Sequence, residues 1–133
     1  MQYNFCPQCG SKLQKCTDSD ITPQVCPTCA FIIYKNSKPC VGVFIIKNNE
    51  ILLARRAAKP FKGYWDIPGG FLEAGEHPEH GLIREIKEET GLDVTPAGFL
   101  GVYMDTYGAD HEHTMNLCYR ASIIKGQPQA ASD

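Results

Sequence analysis

Apolar residues recur at helical spacing in one part of this chain and at strand spacing in several others. Over residues 78–90, Leu82, Ile83 and Ile86 come round to one side of a spiral with about 3.6 residues per turn. That spacing predicts an amphipathic helix with those three side chains toward a core. Pro78 suits its first turn, where a missing N–H costs nothing, and Gly91 suits the left-handed position just past its end. Upstream, residues 40–46 alternate and then run apolar, Asn48-Asn49 turns the chain, and residues 51–55 return, which predicts a β-hairpin. Residues 64–68 read as a short strand entering Gly69-Gly70. Residues 94–107 and 113–125 read as two long strands joined by Gly108-Ala109-Asp110-His111-Glu112. Pro96 has no N–H to give to a ladder, so the regular part of the first is expected from Ala97. Residues 126–133 are polar and are expected to be a disordered tail.

The polar side of the helix is unusual. Glu85, Glu88 and Glu89 fall within about 100° of arc beside the apolar stripe. Like charges that close repel by a few tenths of a kcal/mol per pair. Lys87 is expected to point away, and Arg84 to reach only Glu88, four residues on. A solvated acidic face is the plain reading. The chemical one is a hard divalent cation, Mg²⁺ or Mn²⁺, which takes oxygen ligands and commonly bridges carboxylates to phosphates.

Composition frames the rest without deciding it. A hydrophobic share of 43% and a charged share of 21% are globular values, and 133 residues fit one domain, or a small module plus a compact one. A net charge of −2 gives no reason to expect bulk nucleic acid or anionic membrane as a partner. The absence of a long apolar run or a basic leader leads to the expectation of a soluble, untargeted protein.

The cysteines follow a pattern of their own. Cys6-Pro7-Gln8-Cys9 and Cys26-Pro27-Thr28-Cys29 are two CxxC turns, which match a closed tetrahedral zinc site and resemble a zinc ribbon. A pair of disulfides and an iron–sulfur site are the alternatives. A module of about 35 residues buries too little apolar surface to fold well alone, so metal binding would supply much of its stability. Cys16 has no partner at that spacing, whereas Cys40 and Cys118 read as small core residues. Thiolate ligands with spare thiols point to a reducing cytoplasm. The same segment carries Lys12, Lys15, Lys35 and Lys38 but no arginine, a thin footprint for nucleic acid.

Taken together, Gly70, Glu76, Arg84, Glu85, Ile86, Glu88, Glu89, Gly91 and Leu92 fill a pattern, G-x5-E-x7-R-E-(aliphatic)-x-E-E-x-G-(aliphatic), that resembles the Nudix box. A chance match is well below ~10⁻⁶ in a chain of this size. The resemblance covers roughly residues 39–125 and implies an α/β/α sandwich around a mixed sheet. The division expected is a zinc ribbon over 1–36, a Nudix hydrolase domain over 37–125 and the tail. This layout is similar to that of NADH pyrophosphatases, but their downstream proline- and tryptophan-containing motif is absent. Family members usually continue with another strand and helix. Ile123 and Ile124 would then take cover from a second copy, in a homodimer, or from the rest of a longer protein of which this is a truncation; truncation is the expectation.

The resemblance implies that the Gly70 carbonyl and Glu85, Glu88 and Glu89 hold Mg²⁺ or Mn²⁺, that Arg84 orients those glutamates and that Glu76 braces the loop. The expected reaction is hydrolysis of a nucleoside diphosphate linked to another group, as in ADP-ribose, a dinucleotide or a nucleotide sugar. A box glutamate, Glu88 or Glu89, or a loop acid, Asp110 or Glu112, is the candidate base. Arg55 and Arg56 are candidate phosphate contacts, against a solvated strand end, and Tyr103 and Tyr107 candidate stacking surfaces, against ordinary sheet positions. Trp65 reads as core rather than a base platform, and His111 and His113 as solvent-exposed rather than ligands. A competing class is a nucleotide- or RNA-binding regulatory module that works through the ribbon.

Overall fold

In the computed structural model, which describes residues 3–14, 23–109 and 111–129, the chain divides into two units, Met1–Ser37 and Lys38–Asp133. Cys16, Asp110 and residues 130–133 of the expected tail lie outside the described residues.

The first unit is built on its two cysteine turns. Gly10 N–H donates to Cys6 O at 2.9 Å, and Ala30 N–H donates to Cys26 O at 3.0 Å, so each turn closes in the same way. The second turn joins strands β1 (Gln24–Val25) and β2 (Ile32–Ile33), which pair antiparallel. Cys6, Leu13, Cys26 and Ile33 are the buried cluster. Gln24 is buried too, and its amide is satisfied by the backbone of Tyr3 on both sides, accepting at 2.9 Å and donating at 3.1 Å.

The second unit is a five-stranded mixed sheet with one helix among its described residues. Strand β3 (Lys38–Lys47) runs through its middle. It pairs antiparallel with β4 (Glu50–Ile51) and with β7 (Gly69–Phe71), and parallel with β9 (Glu112–Lys125). Strand β8 (Asp93–Tyr107) pairs antiparallel with β9 and forms the edge. A separate ribbon joins β5 (Ala54–Arg55) to β6 (Trp65–Asp66). Alternation puts Val41, Val43 and Ile45 of β3 and Tyr119 and Ala121 of β9 on one face. Helix α1 (Pro78–Thr90) covers that face with Leu82 and Ile86, and Leu92 and Val94 complete the core.

Both predicted helix ends are present. His77 caps the start, its Nδ1 accepting from Glu79 N–H at 3.3 Å, and Gly91 ends it at φ 71° with its N–H on Lys87 O. Four expectations need correction. Ile83 is 39% exposed, and Gly81 and Thr90 are buried in its place, because the helix meets the sheet along a narrower stripe than three apolar residues suggest. The return strand of the hairpin is split. Only Glu50–Ile51 pairs with β3, and Ala54–Arg55 turns away to pair with Trp65–Asp66. Trp65 therefore stands on a ribbon, 64% exposed, rather than in the core. Strand β8 starts before Pro96 and absorbs the proline in a register shift between Pro96 and Gly98. A smaller difference concerns the tail, where Gln129 N–H donates to Thr90 O at 2.9 Å, so residues 126–129 run against the helix end without regular structure.

The core assignment predicts a contrast within α1. Ile86→Ala should lower unfolding free energy by about 2–5 kcal/mol, and Ile83→Ala by less than about 1 kcal/mol, in denaturant titrations. Equal losses at the two positions would overturn this packing.

Candidate active site

The site begins where β7 crosses in front of the helix. Strand β7 lies so close to β3 that a Cβ on Gly69, at φ 151°, would overlap the Val41 carbonyl oxygen. A Cβ on Gly70 would overlap the Glu85 carboxylate. Two consecutive glycines thus let the main chain lie directly against a helix glutamate. Glu89 joins them from one turn further on, its Oε2 accepting from Gly69 N–H at 2.9 Å.

Arg84 holds this arrangement from the side. Its Nε and Nη2 donate to the two oxygens of Glu76, each at 2.8 Å, a bidentate fork. Nη2 also donates to Phe71 O at 3.1 Å, and Nη1 donates to Glu85 Oε1 at 2.8 Å and to Glu88 Oε2 at 3.2 Å. The expectation that Arg84 reaches only Glu88 is corrected. Helical spacing counts neighbours along α1, but Arg84 also reaches the loop before it. The hydrogen bonds from Arg84 hold the Glu76 carboxyl down to about 2, and Glu76 in return pushes the guanidinium pKa further up.

Gly70, Glu85 and Glu89 line a cavity of about 820 Å³. Arg56 and Tyr107 stand in the same cavity. Arg56 Nη2 donates to Tyr107 Oη at 2.6 Å, Nε donates to Pro60 O at 3.1 Å, and Nη1 lies 3.8 Å from Asp66 Oδ2. Phe61 and Phe71 set their rings edge-on to Tyr107, at 6.4 and 5.7 Å between centroids. Cys40 and Cys118 line the cavity as well; burial pushes both thiols up, Cys40 to about 11, and Cys40 Sγ donates to Asn116 Oδ1 at 2.9 Å.

Not every expected residue reaches this place. Glu88 is not among the lining residues, and its side chain is 60% exposed. Glu112 is the first residue of β9 and ion-pairs with Lys38 outside the cavity, because the strand begins earlier than the loop reading allowed. Arg55 faces a different, smaller cavity. His111 and His113 are exposed. Conversely, Asp66 and Asp105 line the main cavity without having been singled out. Asp105 sits midway between Tyr103 and Tyr107, so strand alternation alone would have put all three on one side.

The donor set of Gly70, Glu85, Glu88 and Glu89 is all oxygen, which fits a hard divalent cation, and the bare Gly70 backbone against Glu85 leaves a carbonyl beside a carboxylate. The thiol set is tighter. The donor atoms of Cys6, Cys9, Cys26 and Cys29 all lie within 4.8 Å of one another, the one such group among the described residues. Hydrogen bonds from Ser11 hold the Cys9 thiol down to about 6 and the Cys29 backbone lowers Cys26, whereas burial and the neighbouring thiols push Cys29 up, so the favoured thiolates are those of Cys9 and Cys26.

Comparison with known proteins gives a consistent picture. A family profile described as the NUDIX domain matches residues 36–133. The ADP-ribose pyrophosphatase of Methanocaldococcus jannaschii is 39% identical over 101 residues, 76% of this chain and 60% of that protein. The NAD-capped RNA hydrolase NudC of Pseudomonas aeruginosa is 30% identical over 123 residues, 92% of this chain and 42% of that protein. The chain thus spans about half the length of these curated relatives. Among solved structures, a NUDIX hydrolase from Nitrosomonas europaea superposes with a TM-score of 0.78 at 29% identity, over 97% of this chain and 72% of that one.

The Glu76–Arg84 fork carries a pH signature. A carboxyl depressed in the folded state contributes stability that is complete above its ordinary value near 4.5 and disappears as pH falls through about 2. Glu76→Gln should therefore destabilise the protein at neutral pH and flatten its stability profile between those limits, as read by thermal melts across the acid range. An unchanged profile would remove the fork from the stability of this region.

Proposed function

The chain belongs to the Nudix family, and from that premise we propose that it is a magnesium- or manganese-dependent pyrophosphohydrolase. Its substrate is a nucleoside diphosphate linked to another group, of the ADP-ribose, dinucleotide or nucleotide-sugar type. One observation carries the reading: the side-chain-free Gly69-Gly70 backbone lies against Glu85 and Glu89 on the wall of a cavity that also holds Arg56 and Tyr107. The relatives support the bond type, since ADP-ribose and NAD both contain a diphosphate bridge.

The Gly70 carbonyl, Glu85 and Glu89, which line the cavity, would hold the cation, and Glu88, tied to the same Arg84 nitrogen as Glu85, would reach it from the exposed side. When bound, such a cation neutralises phosphate charge and acidifies water. The chain's own residues do the rest. Arg56, its guanidinium fixed by Pro60 O and Tyr107 Oη, presents an oriented donor to a phosphate oxygen. Tyr107, with Phe61 and Phe71 at its edges, gives a flat wall against which the nucleoside is oriented. Arg84 keeps Glu85 and Glu88 aimed by holding both to the loop through Glu76. Glu89 takes a proton from the water that attacks phosphorus; the new P–O bond forms as the bridging P–O bond breaks, and the bridging oxygen leaves with the second product. The seat of Glu112 on β9, paired with Lys38, favours a helix glutamate over Glu112 for that role.

In the first unit the four thiols would hold structural zinc, and the ribbon, residues 1–36, would depend on it for folding. Thiolate ligation fits a reducing cytoplasm.

Glu89→Gln should lower turnover of the preferred diphosphate by about a hundred- to ten-thousand-fold while circular dichroism stays unchanged. The assay is a panel of ADP-ribose, dinucleotides and nucleotide sugars with Mg²⁺ or Mn²⁺. Turnover equal to that of the parent chain would sink the assignment, and RNA binding without any turnover would favour the regulatory reading. For the ribbon, metal analysis should give one zinc per chain, lost in Cys26→Ser with melting of the first unit; a full complement of zinc in that variant would exclude the cysteine site.

A further inference from the structure

A second cavity, of about 400 Å³, shares Arg56, Asp66, Ile67, Gly69 and Glu89 with the first, and the rest of its wall is its own. Leu52, Leu53, Ala54, Ala57 and Ala58 make much of that wall apolar, and Trp65 and Arg55 stand at it together. Trp65 is 64% exposed, so the fold itself makes little use of the indole. Arg55 and Trp65 are paired in register on the β5–β6 ribbon, and the guanidinium carbon lies 6.0 Å from the ring centroid. Arg55 is also tethered, its Nε donating to Gly63 O at 3.1 Å. The guanidinium lies over the indole, yet the ring stays largely exposed, so a stacking surface and a fixed cation are offered in one place. The volume lies within the range of small-molecule sites.

We propose that this second cavity binds a nucleoside monophosphate, with the base stacked on Trp65 and the phosphate held by Arg55. Of the two arginines expected from sequence to meet phosphate, Arg55 then serves this cavity, and Arg56, which borders both, serves the first. The inference goes beyond the pyrophosphohydrolase reading and does not rest on it, since it is tested by binding alone. The same base-and-phosphate chemistry is offered by a free mononucleotide and by one end of a bound dinucleotide.

Trp65 is the single tryptophan of the chain, so its emission reports on this cavity directly. Titrating the full chain with AMP should change indole emission saturably and protect it from acrylamide quenching. Arg55→Gln should weaken AMP about tenfold, with Arg55→Lys in between. The acrylamide measurement needs no variant, and it decides the matter if Arg55→Gln does not fold. No saturable change, no protection, or AMP affinity unchanged in both arginine variants would overturn the proposal. A Tyr107→Ala variant separates the sources. Loss of affinity for an intact dinucleoside diphosphate alone identifies one end of a substrate, and loss for neither ligand identifies a free mononucleotide. Loss for AMP as well moves the ligand to the first cavity and overturns the proposal.

Discussion

One guanidinium holds the candidate active site together. Glu76, Glu85 and Glu88 all hydrogen-bond Arg84, and the Phe71 carbonyl takes a further bond from it. A helix that gathers like charges is destabilised by each of them, and the repulsion is tolerable only while a counter-charge is fixed in place. Arg84 is fixed because its fork on Glu76 uses both carboxylate oxygens. Loop, strand β7 and helix α1 are thereby joined through a single side chain, and the placing of Glu85 against the Gly70 backbone follows from it.

The remaining geometry is set by what is missing rather than by what is present. Side chains at Gly69 and Gly70 would separate β7 from β3 and from the helix, and the cavity wall would lose its main-chain character. The sheet supplies the rigid backing. Val41, Val43 and Ile45 pack on Leu82 and Ile86 on one side, while Cys40 and Gly42, their neighbours in the alternation, border the cavity on the other.

Much of this was legible beforehand, for identifiable reasons. Helix α1 has the predicted limits because both ends carry strong signals, Pro78 in the first turn and Gly91 in the left-handed region, while the capping His77 shows only in the structure. The cysteine turns were equally readable, since four thiols at that spacing have few arrangements. Other features depended on contacts between segments distant in sequence. Nothing in residues 51–55 says that the second half of the return strand leaves β3 for Trp65–Asp66, and the misplacing of Trp65 follows from that one switch. Arg84's hold on Glu76 spans eight positions, beyond any neighbour rule for a helix. The turn signal at Gly108 makes Glu112 look like loop in the sequence, yet the turn is short and β9 already begins at Glu112. Asp66 and Asp105 carry no signal in the sequence, because a single acid in a strand is unremarkable until its cavity is known.

Strand β8 has one more implication. It is fifteen residues long, lies at the sheet edge, and leaves Phe99, Val102 and Met104 substantially exposed. A straight edge of that length invites another strand to add on, the first step toward fibrillar stacking. The register breaks at Asp93/Val94, Pro96/Gly98 and Phe99/Gly101 interrupt it three times toward its start, so no long flat template is on offer there. Those breaks, with no part in the chemistry, make the start of the edge a poor template for an added strand.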